Sequence, residues 1–312
     1  MARRASFIAD LRDENANVLI ADAGGFTDFN AKLGPQKTSC MLQCFAKMNY
    51  DVIGINDKDL RHGVDFLHEV ESTYGLTFVS SNIIYQESNR PVFKPYAIIK
   101  DAGIKVGVFG LTDEMFWRNK AYDDTLGIEI RPYRDVCSDM IEKLRSKVHY
   151  LVLLTDLRQK SLDTLIINHP GIDLVMTTGT YTTGVRRLDN SPTLVVGTGH
   201  RGQSGAMVEI PFDPQNPDTV VFHESQKQLT DAVGVDSLLV DLIAECRPQL
   251  TKKKNAKRTA AKKTALQGSS ASKNEANAKE KQPVRKSPYQ SPGKQTPQNI
   301  VKEKQTKTQS GG

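Results

Sequence analysis

Met48-Asn49-Tyr50-Asp51-Val52-Ile53-Gly54-Ile55-Asn56-Asp57-Lys58-Asp59-Leu60-Arg61-His62-Gly63 begins as an apolar run and ends in a polar turn with Lys58 at its centre. A short apolar run that stops at small and charged residues is the pattern of a buried strand feeding a loop. The pattern repeats on both sides. Val18-Leu19-Ile20-Ala21 stops at Asp22-Ala23-Gly24-Gly25, Tyr150-Leu151-Val152-Leu153-Leu154 stops at Thr155-Asp156-Leu157, and Ile172-Asp173-Leu174-Val175-Met176 runs into the 177–183 segment.

Helical spacing predicts helices over 39–48, 64–71, 133–146 and 161–168, and an amphipathic first helix with Phe7, Ile8 and Leu11 inward. A strand is expected at 78–80, with a hairpin of 96–99 and 105–109 turned at Asp101-Ala102-Gly103. Runs at 193–196 and 206–210 are expected to close the sheet. Strands alternating with helices in this way make an α/β domain. Pro211, Pro214 and Pro217 mark a loop, 220–223 reads as an edge strand, and 235–244 is the last helix with a clear apolar face. The domain is therefore expected to span residues 1–248.

The chain has 312 residues and a net charge of +6, but the charge is uneven. Residues 251–312 hold 16 of the 42 Lys+Arg and 3 of the 36 Asp+Glu, which leaves residues 1–250 at −7. The Lys-rich segment 249–312 has few large apolar residues, so it is expected to be a disordered tail. Its densest block, residues 252–263, suits an anionic partner: nucleic acid, a lipid surface or an acidic protein face. Tyr289 is its one aromatic residue, so base stacking has little support. A solubilising tail is the plainer reading.

Cys40, Cys44, Cys137 and Cys246 form no C-x-x-C pair, and all four are expected to be small buried hydrophobes rather than metal or disulfide partners. No run approaches the roughly 18 apolar residues of a membrane span. Residues 1–12 break into charge before a signal-peptide core forms, so the chain as written is expected in the cytoplasm. A segment preceding Met1 would change that expectation to the periplasm or export. Oligomeric state is not legible.

In α/β folds, strand ends gather ligands, because backbone groups and short polar side chains meet there. Asp22, Asp57, Asp59 and Asp156 all lie at such ends, as does the 177–183 run. His200 sits in Gly197-Thr198-Gly199-His200-Arg201-Gly202, a tight loop near the same end.

In order, these junctions resemble the metallophosphoesterase (calcineurin-like) domain of the 5'-nucleotidase family, over roughly residues 2–212. Residues 17–25 resemble a strand ending in L-D-x-G-D, and residues 48–63 the approach to G-N-H-E-F-D-x-G. Ser81-Asn82-Ile83, Lys94-Pro95-Tyr96 and Gly103-Ile104-Lys105-Val106-Gly107-Val108-Phe109-Gly110-Leu111-Thr112 match further landmarks. The resemblance implies a two-sheet α/β/β/α sandwich, here without the usual first strand. It also implies two metals that activate a water and neutralise phosphoryl oxygens.

Position by position, the implied ligands are replaced. Gly25 stands at a metal-bridging Asp. Asp57, Lys58 and Asp59 fall on Asn, His and Glu; Asp156 falls on a His; Gly179 and Tyr181 fall on the two His of G-H-x-H. Asp22 matches a residue whose role is usually structural. A protonated lysine has no lone pair to offer a cation and repels it. The expectation is a degenerate, non-catalytic domain with no catalytic residue and no cofactor. Lys58 is expected to pair with Asp57, Asp59 or Asp156; the other reading is a cleft that binds a partner, or an anion such as phosphate or a nucleotide, with Lys58, Arg61, Arg158 and His200 as candidates. One alternative is a metal-dependent phosphohydrolase rebuilt on Asp22, Asp57, Asp59 and Asp156 around one Mn, Mg or Ca ion. A second is a binding module acting through the basic tail.

Overall fold

The computed structural model describes residues 1–28, 30, 33–117, 126–178, 183–199, 202–210 and 223–246. All of these fall within one unit, Met1–Arg258. His200, Arg201, Gly179, Tyr181, the proline loop and the Lys-rich segment, with its expected disorder and partner site, lie outside the described residues.

Side-chain alternation sets the layers. On β2 (Val52–Gly54), Ile53 packs to one side and Val52 to the other, and on β3 (Phe78–Val79) Phe78 and Val79 divide in the same way. With β1 (Ala21–Asp22) these strands form a parallel sheet in the order β1-β2-β3. Its outer face buries Ile53 and Phe78 beneath α1 (Ala2–Glu14), α2 (Gly34–Lys47) and α3 (Val64–Tyr74), whose contributions include Ile8, Leu42, Phe45 and Leu67. The short antiparallel pair β4 (Ile83–Tyr85) and β7 (Ile128–Ile130) adds Ile83, Ile128 and Ile130 to this layer. Neither strand is foreshadowed in the sequence pattern, because each is too short to show a period.

The second sheet has six strands. β5 (Tyr96–Asp101), β6 (Ile104–Leu111), β8 (Tyr150–Thr155), β9 (Leu174–Thr177), β10 (Thr183–Arg187) and β11 (Leu194–Thr198) run in the order β10-β11-β9-β8-β6-β5. After the one-turn α4 (Glu114–Trp117) come α5 (Tyr133–Arg145) and α6 (Gln159–Asn168); along β8, Leu151 and Leu153 meet α5 and α6, while Val152 and Leu154 face the first sheet. Fully burying one such Leu or Val stabilises the fold by roughly 1.5–3 kcal/mol. The result is the expected sandwich: helices, sheet, sheet, helices. The β5–β6 hairpin turns at Ala102 and Gly103, both with positive φ (44° and 85°), as a two-residue primed turn requires.

The two sheets approach closely where β6 passes β3. A Cβ on Gly110 would stand 2.6 Å from the Val79 carbonyl oxygen, so only glycine allows this approach. One expectation is corrected at the edge: residues 206–210 do not close the large sheet. β12 (Ser204–Glu209) pairs antiparallel with β13 (His223–Gln228) in a separate two-stranded ladder; of the strand expected at 220–223, His223 opens β13 and residues 220–222 lie outside the described residues. Phe7 and Ile8 are buried as expected, and Leu11 is half-buried.

The cysteine reading is also corrected. Cys40 and Cys246 form a disulfide, with Cα atoms 6.2 Å apart across a sequence separation of 206. The last helix, α7 (237–246), buries Leu239 and Leu242 in the first core and so carries Cys246 to α2. Sequence spacing cannot show a pairing that depends on docking a remote helix. Cys44 and Cys137 are free and buried, as expected. No helix among the described residues is long and apolar enough to cross a membrane.

Candidate functional site

The loops after β1, β2, β6, β8 and β9 meet at one end of the sandwich, held by polar side chains bonded to neighbouring backbones. Thr112 Oγ1 donates to the Ile55 carbonyl at 2.8 Å, tying the β6 loop to the β2 loop. Asn82 receives the Thr112 N–H at 2.9 Å and donates through Nδ2 to the carbonyls of Thr112 and Arg131, both at 2.8 Å. Thr155 Oγ1 donates to the Leu111 carbonyl at 2.7 Å, and the Thr178 N–H reaches the Thr155 carbonyl at 3.0 Å. These three residues were not singled out as site residues. The landmarks around Asn82 and Thr112 contained the signal, since a buried Asn or Thr at a strand end has to bond to something.

Asp59 is fully buried and does the same work for the β1 and β2 loops. Its Oδ2 accepts N–H bonds from Gly25 at 2.7 Å and Asn56 at 3.2 Å, and its Oδ1 accepts one from Thr27 at 3.1 Å. Burial pushes its carboxyl up to about 6, with these N–H bonds pulling the other way. Asp22 is tied locally: Oδ1 accepts the Gly24 N–H at 3.0 Å and Oδ2 lies 3.7 Å from the Arg4 guanidinium. Arg4 comes from α1 and donates to the Tyr50 hydroxyl at 3.1 Å, so Asp22 serves the helix-to-sheet contact. Burial raises the Asp22 carboxyl, while Arg4 opposes that rise.

Asp156 is buried after β8 and accepts the Asp113 N–H at 2.9 Å. Burial pushes its carboxyl up to about 7; the Asp113 charge adds to this, and the Asp113 N–H and the Lys58 ammonium pull it down. Lys58 is exposed at the rim, and its backbone N–H donates to Asn56 Oδ1 at 3.0 Å. Its field on Asp156 links the β2 and β8 loops. Asp57 is buried beside it. Arg61 lies on the 3-10 turn Asp59–His62, and Arg158 occupies the N-cap position of α6 without a side-chain capping bond. Of the expected anion-binding set, Lys58 is close enough to Asp156 for its charge to lower that carboxyl, and His200 lies outside the described residues.

These residues do not fit a pair of divalent cations. Among the described residues, no three Asp, Glu, His or Cys side chains are placed to hold one ion together. Gly25 offers no ligand at its position, and a Cβ there would already meet Thr178 Oγ1 at 3.1 Å and Asn56 Nδ2 at 3.2 Å. Both oxygens of Asp59 are directed at backbone N–H groups, and Lys58 supplies positive charge where a ligand would supply a lone pair.

No protein-family model matches the chain. It is 28% identical over 118 residues to the 5'-nucleotidase of Vibrio parahaemolyticus, a stretch covering 36% of this chain and 21% of that protein. The chain thus spans about a fifth of the length of that curated relative. Among solved structures, the Thermus thermophilus sulfate thiohydrolase SoxB superimposes with a TM-score of 0.71 at 14% identity, covering 80% of this chain and 47% of SoxB. The 5'-nucleotidase precursor of the same organism gives 0.69 at 17% identity, covering 80% and 53%. The sandwich topology, the succession of strand-end motifs and these likenesses lead to one conclusion: the described residues have the sandwich fold of these two solved proteins, and about a third of the chain is similar in sequence to a 5'-nucleotidase.

Proposed function

We propose that this domain is a non-catalytic relative of the phosphoesterases, whose cleft holds an anion such as phosphate or a nucleotide through Lys58, Arg61, Arg158 and His200. One observation carries the reading: Asp59, at a motif position of the family, has both carboxylate oxygens occupied by the N–H groups of Gly25, Asn56 and Thr27. A carboxylate used in this way organises the loops and has little left for a metal. Magnitude supports the same conclusion. Phosphate monoester hydrolysis needs rate enhancements of up to about 10²¹ in its enzymes, whereas acid–base help from side chains supplies about 10²–10⁴.

The test is metal analysis of the purified protein beside hydrolysis of a phosphodiester and a nucleotide with added Mn²⁺. The expected result is no stoichiometric metal and no turnover above background. Stoichiometric metal with turnover would replace this reading by the rebuilt site on Asp22, Asp57, Asp59 and Asp156.

A further inference from the structure

We infer that Asn56 and Thr178, facing one another across Gly25, form the floor of a metal-free subsite for a tetrahedral oxyanion of the phosphate class. The inference rests on the anion-binding reading above and assigns it residues that reading does not contain.

Asn56 is 1% exposed, and its amide orientation is fixed because Oδ1 accepts the Lys58 N–H at 3.0 Å. That leaves Nδ2 as a donor turned toward Gly25. Nδ2 is buried and has no acceptor among the described residues. A buried donor without an acceptor destabilises the protein, and a ligand oxygen would remove that cost. The Thr178 hydroxyl approaches from the other sheet, at the end of β9, and both polar atoms lie within 3.2 Å of the point where a side chain on Gly25 would begin. With no Cβ there, no side chain of residue 25 stands between them.

The charge arrangement indicates what kind of acceptor fits. Lys58 stands at the rim with a field that reaches Asp156. Of the neighbouring carboxylates, Asp59 is engaged by three backbone N–H groups and Asp156 by the Asp113 N–H, while Asp57 is buried beside Lys58. The donors therefore approach from the β2 loop, the β9 loop and the rim. A planar carboxylate presents two oxygens in one plane, whereas a tetrahedral oxyanion presents oxygens in each of these directions.

Calorimetric titration of the full chain with inorganic phosphate in the presence of a chelator tests this, with acetate as the planar comparator. Wild type is expected to bind one phosphate and to bind acetate at least tenfold more weakly. Asn56→Asp keeps the acceptor for the Lys58 N–H but turns the donor into an oxygen, and is expected to weaken phosphate at least tenfold. Thr178→Val should weaken it several-fold, and it reads the same floor if Asn56→Asp does not fold. If wild type binds no phosphate, or if Lys58→Gln leaves binding unchanged, the anion-binding reading fails and this inference with it. If Lys58→Gln weakens binding but neither floor variant does, the inference alone is wrong. Equal affinity for acetate overturns the tetrahedral class.

Discussion

The loops after β2 and β8 each bury an aspartate at a strand end, yet the two carboxylates are wired differently. Asp59 takes three backbone N–H groups from two loops, while Asp156 takes one and has the Asp113 carboxylate close by. Burial raises both carboxyls, Asp59 to about 6 and Asp156 to about 7; N–H bonds oppose the rise at each, and at Asp156 the Asp113 charge adds to it. Backbone wiring, rather than burial alone, separates a carboxylate that builds a loop from one that stays responsive to its surroundings. Two aspartates that look equivalent in sequence are thus unequal in the fold.

The largest expected effect comes from truncation. Asp59→Ala leaves the N–H groups of Gly25, Asn56 and Thr27 buried without an acceptor, and should lower the unfolding free energy by about 3 kcal/mol or more. Asp156→Ala strands one N–H and should cost about 1–3 kcal/mol. Denaturant unfolding measures both, and equal losses would break the comparison.

Cutting the Cys40–Cys246 bond by a Cys246→Ser change should remove about 2–4 kcal/mol. The clasp joins α2 to α7, and the N–H donors to Asp59 and Asp156 come from neither helix, so the pH behaviour of the two aspartates should be unchanged. A pH profile altered by this variant would show that the loops depend on the clasp.

The pH dependence itself follows from the direction of the shifts. Both carboxyls titrate higher in the folded state than the ordinary 3.8, so the folded chain binds more protons. The stability they contribute is complete below about pH 4 and is lost as pH rises, at up to about 1.4 kcal/mol per pH unit for each group. The Asp59 part is spent by about pH 6 and the Asp156 part by about pH 7. Asp156→Asn should therefore flatten the stability curve between pH 6 and 7, and Asp59→Asn only below that window. The smallest effect is expected from Lys58→Gln. Its charge lowers the Asp156 carboxyl, so the upper end of the slope should move to higher pH. Because Lys58 is exposed, stability at pH 5 should change by less than about 1 kcal/mol.

Much of the frame was legible before any coordinates. The runs ending at Asp22, Asn56 and Thr155 mark strand ends because an apolar run has to be buried and the charged residues after it have to leave the sheet. The Asp101-Ala102-Gly103 turn was legible for a similar local reason, since a primed hairpin turn needs residues able to take positive φ. The replaced motif positions, Gly25 and Lys58 among them, were also visible in the sequence, being matters of residue identity alone.

What the sequence could not give is the pairing of groups far apart along the chain. Cys40 finds Cys246 only because Leu239 and Leu242 dock α7 on the first core. Asp59 reaches back to Gly25 and Thr27, and Asp156 meets Asp113, through loops brought together where Gly110 lets the sheets close. By itself the sequence determined the layered α/β architecture and which chemical groups stand at the strand ends, because burial and backbone preference act residue by residue. Only the tertiary structure decided which of those groups are consumed by backbone N–H bonds and which, like Asn56 Nδ2, remain without an acceptor among the described residues. Hydrogen bonding acts between neighbours in space, and that neighbourhood exists only once the two sheets have packed.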